Sequence, residues 1–345
     1  MRVYRWRQFG ELEGLKLETA ETPSPGPYEV RVRVRASSLN HRDLLVARGI
    51  PVGATPRVGL VPLSDGAGEV LEVGAQVTRF RAGDRVVAAF RQGWIDGEMR
   101  AEQVVGDLGG LKDGMLADEV VLNEEGLLII PAHLGFEEAA TLPCAAVSAW
   151  NAVIVKGAVK PGDTVLVQGT GGVAIFALQF AKLAGARVLA TTSSAAKAAR
   201  LVELGADATI DRREHTDWDA EVLRLTGGRG VDLTVEIGGP GTINRSLAAT
   251  RIGGRLSIVG LLTPPAEDTA GMFMTAFLRD VTIASVHVGN RMSFESMNRA
   301  IVQGRLRPVI GARFPFERAL DAFRLLQGGQ HIGKVVLLHD SAPGR

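Results

Sequence analysis

The chain has 345 residues, 46% of them hydrophobic and 22% charged, which is the composition of a globular protein long enough for two domains. The formal net charge of +1 and the scattered basic residues provide no electrostatic basis for binding nucleic acid or a membrane surface. The single cysteine, Cys144, excludes an intramolecular disulfide framework and any all-cysteine zinc or iron–sulfur site within one chain.

The first third of the chain is predicted to be β-structure. Residues 29–37, EVRVRVRAS, alternate arginine with valine or alanine, and this period of two is typical of a half-buried strand. Two further short runs, 66–74 and 82–90, contain glycine at their ends and also favour strands. Helix signals are sparse before about residue 135.

From residue 135 the pattern changes to helical spacing and then to an alternation of strands and helices. Small and apolar residues recur at helical spacing in 135–155. Six strand-like runs then alternate with helix-like segments, and these runs are 163–169, 186–192, 207–211, 231–238, 254–262 and 281–289. This alternation predicts right-handed crossovers and a parallel doubly wound sheet. The last stretch, 289–345, is expected to fold back on the first domain.

The first of these strands leads into the glycine-rich sequence VLVQGTGGVA, which has the spacing G-x-G-x-x-A. Gly169 permits a tight turn, Gly171 lets the backbone approach a pyrophosphate, and Ala174 keeps the next helix close to the sheet. The helix N-terminus then offers N–H groups to phosphate. This context predicts a dinucleotide site rather than a glycine-rich turn without a ligand. The contacts in this loop are assigned to Gly169, Thr170, Gly171, Gly172 and Val173.

The end of the second strand predicts which coenzyme binds. An acidic side chain about 20 residues past the glycines would bind the ribose 2′-hydroxyl of NAD. Here the sequence has Thr192, Ser193 and Ser194, with Lys197 in the next helix and Arg212 after the third strand. Hydroxyls and cations suit a 2′-phosphate, so we expect NADP(H) rather than NAD(H). The alternative is a helix-capping serine with a solvated lysine.

Five segments together resemble the medium-chain dehydrogenase/reductase superfamily. They are PGPYEVRVRVRASSLNHRDLLVARG, GAGEVLEVG, RAGDRVV, PGDTVLVQGTGGVAIFALQFAKLAGARVLATTSS and HIGKVVLL, in the family's order. The resemblance implies an α/β fold with a GroES-like β domain over 1–130 and 289–345. It also implies a Rossmann domain with a doubly wound six-stranded parallel sheet over 131–288. Substrate would bind in the cleft between these domains, where small-molecule sites are commonly found.

The resemblance also indicates which branch of the superfamily applies. Zinc alcohol dehydrogenases of this superfamily hold their catalytic zinc with a cysteine, a histidine and a second cysteine. These positions correspond here to Asn40, Ser64 and Cys144, and the four-cysteine lobe for structural zinc is missing from the sequence. Cys144, Asp65 and an amide would be a poor ligand set for zinc. We therefore expect no metal and a zinc-independent, quinone oxidoreductase-like enzyme.

The catalytic candidates follow from these matched positions. Asn40 is expected to face the reacting atoms, and His41 to reach the pyrophosphate or act as an acid. Asp43 is expected to orient a neighbour or cap a helix, and Ser148 matches a hydroxyl that touches the nicotinamide in relatives. Turn and capping roles are equally open for these residue types. Cys144 is interpreted as a residue lining the cleft, without metal and without a nucleophilic role.

Further coenzyme contacts are implied at the ends of the later strands. They are Ile237 and Gly238 beside the ring and ribose, Val259, Gly260 and Leu261 at the carboxamide, and His287 and Val288 at the cleft entrance. Lys334 is expected either to reach the coenzyme or to lie on a solvent-exposed face. Four histidines show no metal-ligand spacing and are interpreted as surface residues, namely His133, His215, His331 and His339.

The leading function prediction is an NADPH-dependent, zinc-independent reductase of quinones, enones or related conjugated carbonyls. The alternatives are an NAD(P)-dependent alcohol or aldehyde dehydrogenase of the same superfamily and a nucleotide-binding protein with little turnover. The sequence leaves the substrate, the choice of C=C or C=O reduction and the stereochemistry open.

Localisation and assembly are also predicted. The N-terminus lacks an apolar signal segment and no run of about 18 apolar residues occurs, which predicts a soluble cytoplasmic protein. Members of the superfamily commonly pair the edges of their nucleotide-domain sheets. We therefore expect a homodimer, or two such dimers together, formed through the edge strand in 281–289.

Overall fold

A computed structural model describes residues 1–51, 55–104, 106–263 and 269–339 of the chain. The chain divides into two compact units. Unit 1 contains Met1–Val147 and the stretch that begins at Gly289, and unit 2 contains Ser148–Val288. Unit 1 is thus built from the two ends of the chain and unit 2 from its middle.

The N-terminal part of unit 1 is mostly β-structure. The residues that alternate between arginine and valine in the sequence lie in β3. Their valines face the core, since Val30, Val32 and Val34 are each at most 1% exposed. The strands are β1 (Arg2–Trp6), β2 (Leu15–Thr19), β3 (Glu29–Leu39), β4 (Asp65–Val73), β5 (Arg85–Ala88), β6 (Glu119–Asn123) and β7 (Leu127–Ile129), and the helices are α1 (His41–Ala47), α2 (Ala101–Val104) and α3 (Phe136–Ala139).

Helical structure occupies most of the segment 135–155, as its spacing predicts. After α3 come π-helical turns over Leu142–Ala146, then α4 (Val147–Trp150), then further π-helical turns over Asn151–Val155. The residues before Ser148 pack with unit 1, although the sequence assigned everything from 131 onward to the nucleotide-binding domain. α3 contacts β3 and β4, and Ser38 Oγ donates a hydrogen bond to the Ala140 carbonyl at 2.9 Å. The helical spacing of apolar residues does not indicate against which sheet the helix packs.

Unit 2 contains a six-stranded parallel sheet in the order β10-β9-β8-β11-β12-β13, which confirms the predicted doubly wound architecture. Its elements alternate as predicted. They are β8 (Thr164–Gln168), α5 (Gly172–Leu183), β9 (Arg187–Thr192), α6 (Ala195–Glu203), β10 (Ala208–Asp211), α7 (Trp218–Leu225), β11 (Val231–Glu236), α8 (Ile243–Ala249), β12 (Thr250–Ile258), α9 (Thr269–Leu278) and β13 (Thr282–Ser285).

The chain then returns to unit 1 through α10 (Arg291–Gln303), β14 (Ile310–Pro315), α11 (Ala319–Gly328) and β15 (Lys334–Leu338). β15 pairs antiparallel with β3, so the two ends of the chain share one sheet. That sheet runs β14-β15-β3-β4-β5-β7, with β6 paired to β3, while β1 and β2 form a separate two-stranded sheet. This pairing places the start of β15 beside the end of β3.

The prediction that His339 is a surface residue is wrong. His339 follows β15 and is 4% exposed, with its Nε2 2.9 Å from Ser37 Oγ and its ring centroid 4.6 Å from that of Phe316. A histidine at the end of a strand shows no burial signal in the sequence, because the residues that cover it come from elsewhere in the chain.

The parallel sheet of unit 2 determines where a ligand can bind. Its strand order reverses direction between β8 and β11, and ligands of such sheets bind at the carboxyl ends of the strands at this switch point. Val165, Leu166 and Val167 of β8 are fully buried, as expected for a strand covered on both faces. Among the described helices, none is long and apolar enough to cross a lipid bilayer.

Candidate functional site

The glycine-rich loop of unit 2 lies between β8 and α5. Gly169 has a left-handed backbone with φ of +80°, and a Cβ added to Gly169 or Gly171 would meet no atom within 4 Å. Gly171 is the N-cap of α5 and has no side chain to satisfy the N–H groups of the first turn. Thr170 is buried, and Gly172 and Val173 begin the helix. Open space beside helix N-terminal donors fits a pyrophosphate.

Two buried polar residues that sequence reasoning missed hold the neighbouring loop. Gln168 ends β8, and its Oε1 accepts hydrogen bonds from the N–H groups of Ile237 and Gly238 at 3.0 and 3.1 Å. Its Nε2 donates to the Glu236 carboxylate at 3.0 Å and to Ser246 Oγ at 2.7 Å. This cross-strand contact fixes the turn after β11, which carries two of the predicted coenzyme residues.

Glu236 connects that turn to the end of β12. Its carboxylate accepts hydrogen bonds from the Gly239 N–H and from Thr242 Oγ1, both at 2.7 Å. Its backbone carbonyl accepts from the N–H groups of Val259 and Gly260 at 2.8 and 3.2 Å. The sequence feature that could have identified Glu236 is a carboxylate at the end of an apolar strand, directly before the turn. A carboxylate buried in such a place needs several hydrogen-bond donors around it.

The remaining coenzyme candidates of unit 2 lie at the same edge of its sheet. A Cβ on Gly260 would lie 2.2 Å from the Ile237 carbonyl oxygen, so only glycine fits there. Leu261 follows and is 72% exposed. His287 and Val288 lie two and three residues after the end of β13, and Val288 adopts φ of +61°. The parallel register therefore brings these predicted residues to one edge.

The end of β9 carries the residues that were predicted to select the coenzyme. Thr192 is buried, and its Oγ1 has no hydrogen-bond partner among the described residues. The Arg212 N–H donates to the Thr192 carbonyl at 2.9 Å. Ser194 has the alternative helix-capping role, because its Oγ accepts from the Lys197 N–H at 3.3 Å, and Ser193 precedes it.

Two cations lie at this strand end. Burial lowers the pKa of Lys197, and the nearby positive charge of Arg212 lowers it further. Two cations that repel one another in this way favour a bound anion between or beside them. No carboxylate stands among residues 192–197.

In unit 1, Asn40 and Asp43 form the start of α1. The Asn40 N–H donates to the Asp43 carboxylate at 2.7 Å, so Asp43 has the predicted capping role. Burial raises the pKa of Asp43 to about 6, against the opposing effect of the Arg42 guanidinium. His41 is exposed at the first helical position.

Of the two alternatives predicted for Lys334, the solvent-exposed position is wrong, and the coenzyme contact stays a prediction. Lys334 is 2% exposed, and its ammonium donates to the Leu39 carbonyl at 2.7 Å, Asn40 Oδ1 at 2.5 Å and Asp65 Oδ2 at 3.2 Å. These bonds use all three of its N–H donors within unit 1. The strand pairing that buries Lys334 joins distant parts of the chain, so the sequence motif did not reveal it.

Asp65 and Cys144 complete this polar cluster of unit 1. The Asp65 carboxylate accepts hydrogen bonds from Ser64 Oγ at 2.8 Å and Ser38 Oγ at 3.2 Å. Burial raises the pKa of the Cys144 thiol to about 12, and the negative charge of Asp65 contributes to the increase. A thiol that stays protonated at neutral pH is a weak nucleophile.

Ser148, the fourth catalytic candidate, belongs to unit 2. It is the second residue of α4 and is 4% exposed. The division between the units falls just before it, so Ser148 and Asn40 belong to different units.

Comparisons with known proteins agree with this architecture. Residues 26–132 match the family model of the alcohol dehydrogenase GroES-like domain, and residues 172–303 match that of zinc-binding dehydrogenases. A zinc-type alcohol dehydrogenase-like protein of Schizosaccharomyces pombe is 38% identical over 342 residues, covering 96% of this chain and 97% of that protein. The chain belongs to the medium-chain dehydrogenase/reductase superfamily.

Solved structures of the superfamily superpose closely on the chain. An NAD-dependent alcohol dehydrogenase is 37% identical with a TM-score of 0.89, covering 99% of this chain and 100% of that one. A quinone oxidoreductase of Pseudomonas syringae pv. Tomato DC3000 is 27% identical with a TM-score of 0.82, covering 98% and 99%. Membership in this superfamily makes the chain an NAD(P)H-dependent oxidoreductase, as predicted.

Zinc is implied by the name of one matching family model, but the residues here do not fit it. The positions that resemble the zinc ligands hold an amide, a hydroxyl and a single thiol, whereas a zinc site commonly needs about three thiolate, imidazole or carboxylate ligands. The carboxylate that follows Ser64 in sequence, Asp65, already binds the Lys334 ammonium. No group of three or more His, Cys, Asp or Glu side chains within the described ranges could hold a metal ion.

The residues at these positions predict that the Cys144 thiol is not needed for activity. We expect Cys144→Ala to keep its rate of NAD(P)H oxidation within about twofold of the wild type, because one thiol without two further ligands does not hold zinc and a protonated thiol is a weak nucleophile. The single cysteine also permits a direct test. We expect 5,5′-dithiobis(2-nitrobenzoic acid) at pH 8 to label the native protein slowly and the denatured protein fast.

Wild-type protein in denaturant is the matched control for the labelling experiment. One tightly bound zinc per wild-type chain, together with a loss of activity of about 100-fold in Cys144→Ala, would contradict the prediction.

Proposed function

We propose that the chain is a zinc-independent, NADPH-dependent oxidoreductase that reduces a quinone, an enone or a similar conjugated carbonyl. The observation that carries the proposal is the residue set in unit 1. Where zinc-dependent relatives are expected to hold a metal, this chain has Asn40, Ser64 and Cys144, so only one of the three positions carries a residue that zinc commonly binds.

The absence of zinc ligands limits the reactions that such a site catalyses well. The bound coenzyme would supply a hydride equivalent to the substrate. A simple ketone then develops a full alkoxide, which commonly needs a Lewis acid or a strong general acid. In a conjugated carbonyl the developing charge is delocalised, so hydrogen-bond donors are enough to stabilise it. A site with an amide donor therefore suits conjugated substrates.

Asn40 is the proposed donor to the substrate oxygen. It is 8% exposed, and its Nδ2 has no hydrogen-bond partner among the described residues. His41 is exposed and is a candidate for proton transfer or for the coenzyme pyrophosphate, while Asp43 is occupied in capping α1. Ser148 is proposed to contact the nicotinamide.

The preference for NADP(H) rests on the end of β9. A carboxylate that would bind a ribose 2′-hydroxyl is missing there, and Lys197 and Arg212 supply positive charge. Both side chains are suitable partners for a 2′-phosphate.

A second candidate is an NAD(P)-dependent alcohol dehydrogenase. It is favoured by the names of the relatives, since one structure with 37% identity is called an NAD-dependent alcohol dehydrogenase. A shared fold does not determine the substrate. We rank the reductase of conjugated carbonyls above the alcohol dehydrogenase because of the residues of unit 1.

A substrate screen distinguishes these functions. We expect the protein to oxidise NADPH with quinones or enones and to give a saturated ketone or hydroquinone, with rates unchanged by a chelator such as EDTA. Alcohol formation from simple aldehydes or ketones, lost on chelation, would instead establish the second candidate. Coenzyme binding without turnover on any of these classes would contradict both.

The coenzyme preference has its own test. We expect Lys197→Ala to raise the Kd for NADPH about tenfold while the Kd for NADH stays within about twofold, because only NADPH carries the 2′-phosphate. Arg200→Ala is the matched control, since Arg200 lies on the same helix and pairs with Glu203 at 2.6 Å. Titration by fluorescence measures both constants.

A substitution at Thr192 tests the coenzyme preference by adding a carboxylate. We expect Thr192→Asp to shift the preference towards NADH, because a carboxylate there would bind the 2′-hydroxyl and repel the 2′-phosphate. Unchanged affinities for both coenzymes in this variant would show that the assignment is wrong.

We also propose that the protein is a homodimer formed through unit 2. β13 is the edge strand of its sheet, with Ile283 39% exposed. The preceding helix α9 exposes Phe273 by 69% and Phe277 by 81%. An unpaired edge with adjacent apolar surface favours association, and antiparallel pairing of two identical edges about a two-fold axis is self-complementary.

We expect light scattering after size exclusion to give the mass of a dimer, or of two dimers, at micromolar concentration. Ile283→Lys should shift the mass towards the monomer, because a lysine on an edge strand opposes strand pairing. Val202→Lys, at a 55% exposed position of α6, is the control that should leave the mass unchanged. A monomeric wild type would contradict the proposal.

A further inference from the structure

The sheet of unit 1 brings three residues from distant parts of the chain to one point. Antiparallel pairing places Val335 opposite Leu39 and Ser38 opposite Asp65. Lys334 therefore lies at the start of β15, Asn40 directly after the end of β3, and Asp65 at the start of β4. β3 lies between the other two strands, so the three side chains meet at one end of the sheet.

The lysine in this group has a defined set of partners. Its ammonium donates to the Leu39 carbonyl, to Asn40 Oδ1 and to one oxygen of Asp65, which is fully buried. Ser64 and Ser38 donate to the two oxygens of that carboxylate. The positive and negative charges are thus paired, as buried charges must be.

This contact determines which way the Asn40 amide points. An ammonium can only donate hydrogen bonds, so the amide oxygen must face Lys334 and the amide nitrogen must face away from it. That nitrogen is buried and has no partner in the described part of the chain. A buried N–H without a partner is costly in a folded protein, and a ligand group is one of the explanations for retaining it.

We propose that Lys334 is a positioning residue, which holds the Asn40 amide with its N–H group directed at the substrate oxygen. This inference rests on the proposed function, because it assigns a role in the same reaction. The ammonium also withdraws electron density from the amide oxygen and so strengthens the opposite N–H as a donor. The cation acts through a side chain of the protein and does not touch the substrate.

The rival explanation is a purely structural ion pair that holds β15 against β3 and β4. Stability measurements alone do not separate the two explanations, since both predict that a single substitution is harmful. Removing only one partner would leave the other charge buried and unpaired. The test therefore removes both charges together.

The test compares five variants of the full-length protein with the wild type. Four of them are Lys334→Met/Asp65→Asn, Asn40→Ala, the combination of all three changes, and Lys16→Met as an exposed lysine control in the same unit. The fifth is Lys334→Gln/Asp65→Asn. Thermal melts establish that each variant is folded. Steady-state kinetics then give kcat and KM for NADPH and for a substrate that the screen identifies.

We expect Asn40→Ala to lower kcat about 100-fold and Lys334→Met/Asp65→Asn to lower it at least about tenfold, with KM for NADPH changed less than about twofold. When Lys334→Met/Asp65→Asn is combined with Asn40→Ala, we expect kcat to be less than about twofold lower than in Asn40→Ala alone. The reason is that Lys334 acts on the reaction only through Asn40. Lys334→Gln/Asp65→Asn keeps an N–H donor towards Asn40 and should recover part of the lost kcat.

Wild-type kcat in the folded double variant would overturn the inference, as would losses that multiply when the changes are combined. Activity confined to simple alcohols or aldehydes would overturn the proposed function, and the same comparison would then be made on those substrates. Absence of turnover on every class would overturn both.

Discussion

The need to supply every buried charged group with hydrogen-bond or ionic partners is the constraint on which both units depend. In unit 1 the Lys334 ammonium is surrounded by a carbonyl, an amide oxygen and the Asp65 carboxylate. In unit 2 the buried Glu236 carboxylate collects donors from Gln168, Gly239 and Thr242. Each group lies at the end of a strand, where the sheet stops supplying backbone partners, and each fixes the adjacent candidate site residues. A buried charge tolerates few arrangements of its neighbours, so these clusters give the site rigidity.

The two units divide the proposed chemistry between them. Unit 2 supplies what a dinucleotide needs, namely an open glycine turn, a helix N-terminus and, at the end of β9, positive charge without a carboxylate. Unit 1 supplies donors and acceptors in a place where the superfamily also accommodates zinc. An amide and a hydroxyl, Asn40 and Ser64, replace two ligands there, and a lysine ammonium brings a positive charge that is part of the chain itself. The proposed enzyme therefore uses hydrogen bonding in place of a Lewis acid.

Relatives with different activities share this architecture, and the residues explain how that is possible. The fold is common to an alcohol dehydrogenase and a quinone oxidoreductase, with TM-scores of 0.89 and 0.82 against this chain. Changing Asn40 or Ser64 to a metal ligand would alter the chemistry without altering the strands that carry them. Function on this fold depends on a few side chains at strand ends, as it does on other widely used folds.

The sequence alone determined the parallel sheet, the glycine turn and the presence of an amide and a hydroxyl at two positions that resemble zinc ligands, because each depends on local periodicity or on residue type at a matched position. It also offered helix capping as one of two roles for Asp43, the other being to orient a neighbour. The tertiary structure alone decided that residues 131–147 pack with unit 1, that His339 is buried and that Lys334 binds Asn40 and Asp65. Those outcomes depend on strand register and packing between distant parts of the chain, which local patterns do not encode. Gln168 and Glu236 are brought together only because β8 and β11 are neighbours in the sheet, and the sequence does not indicate this pairing.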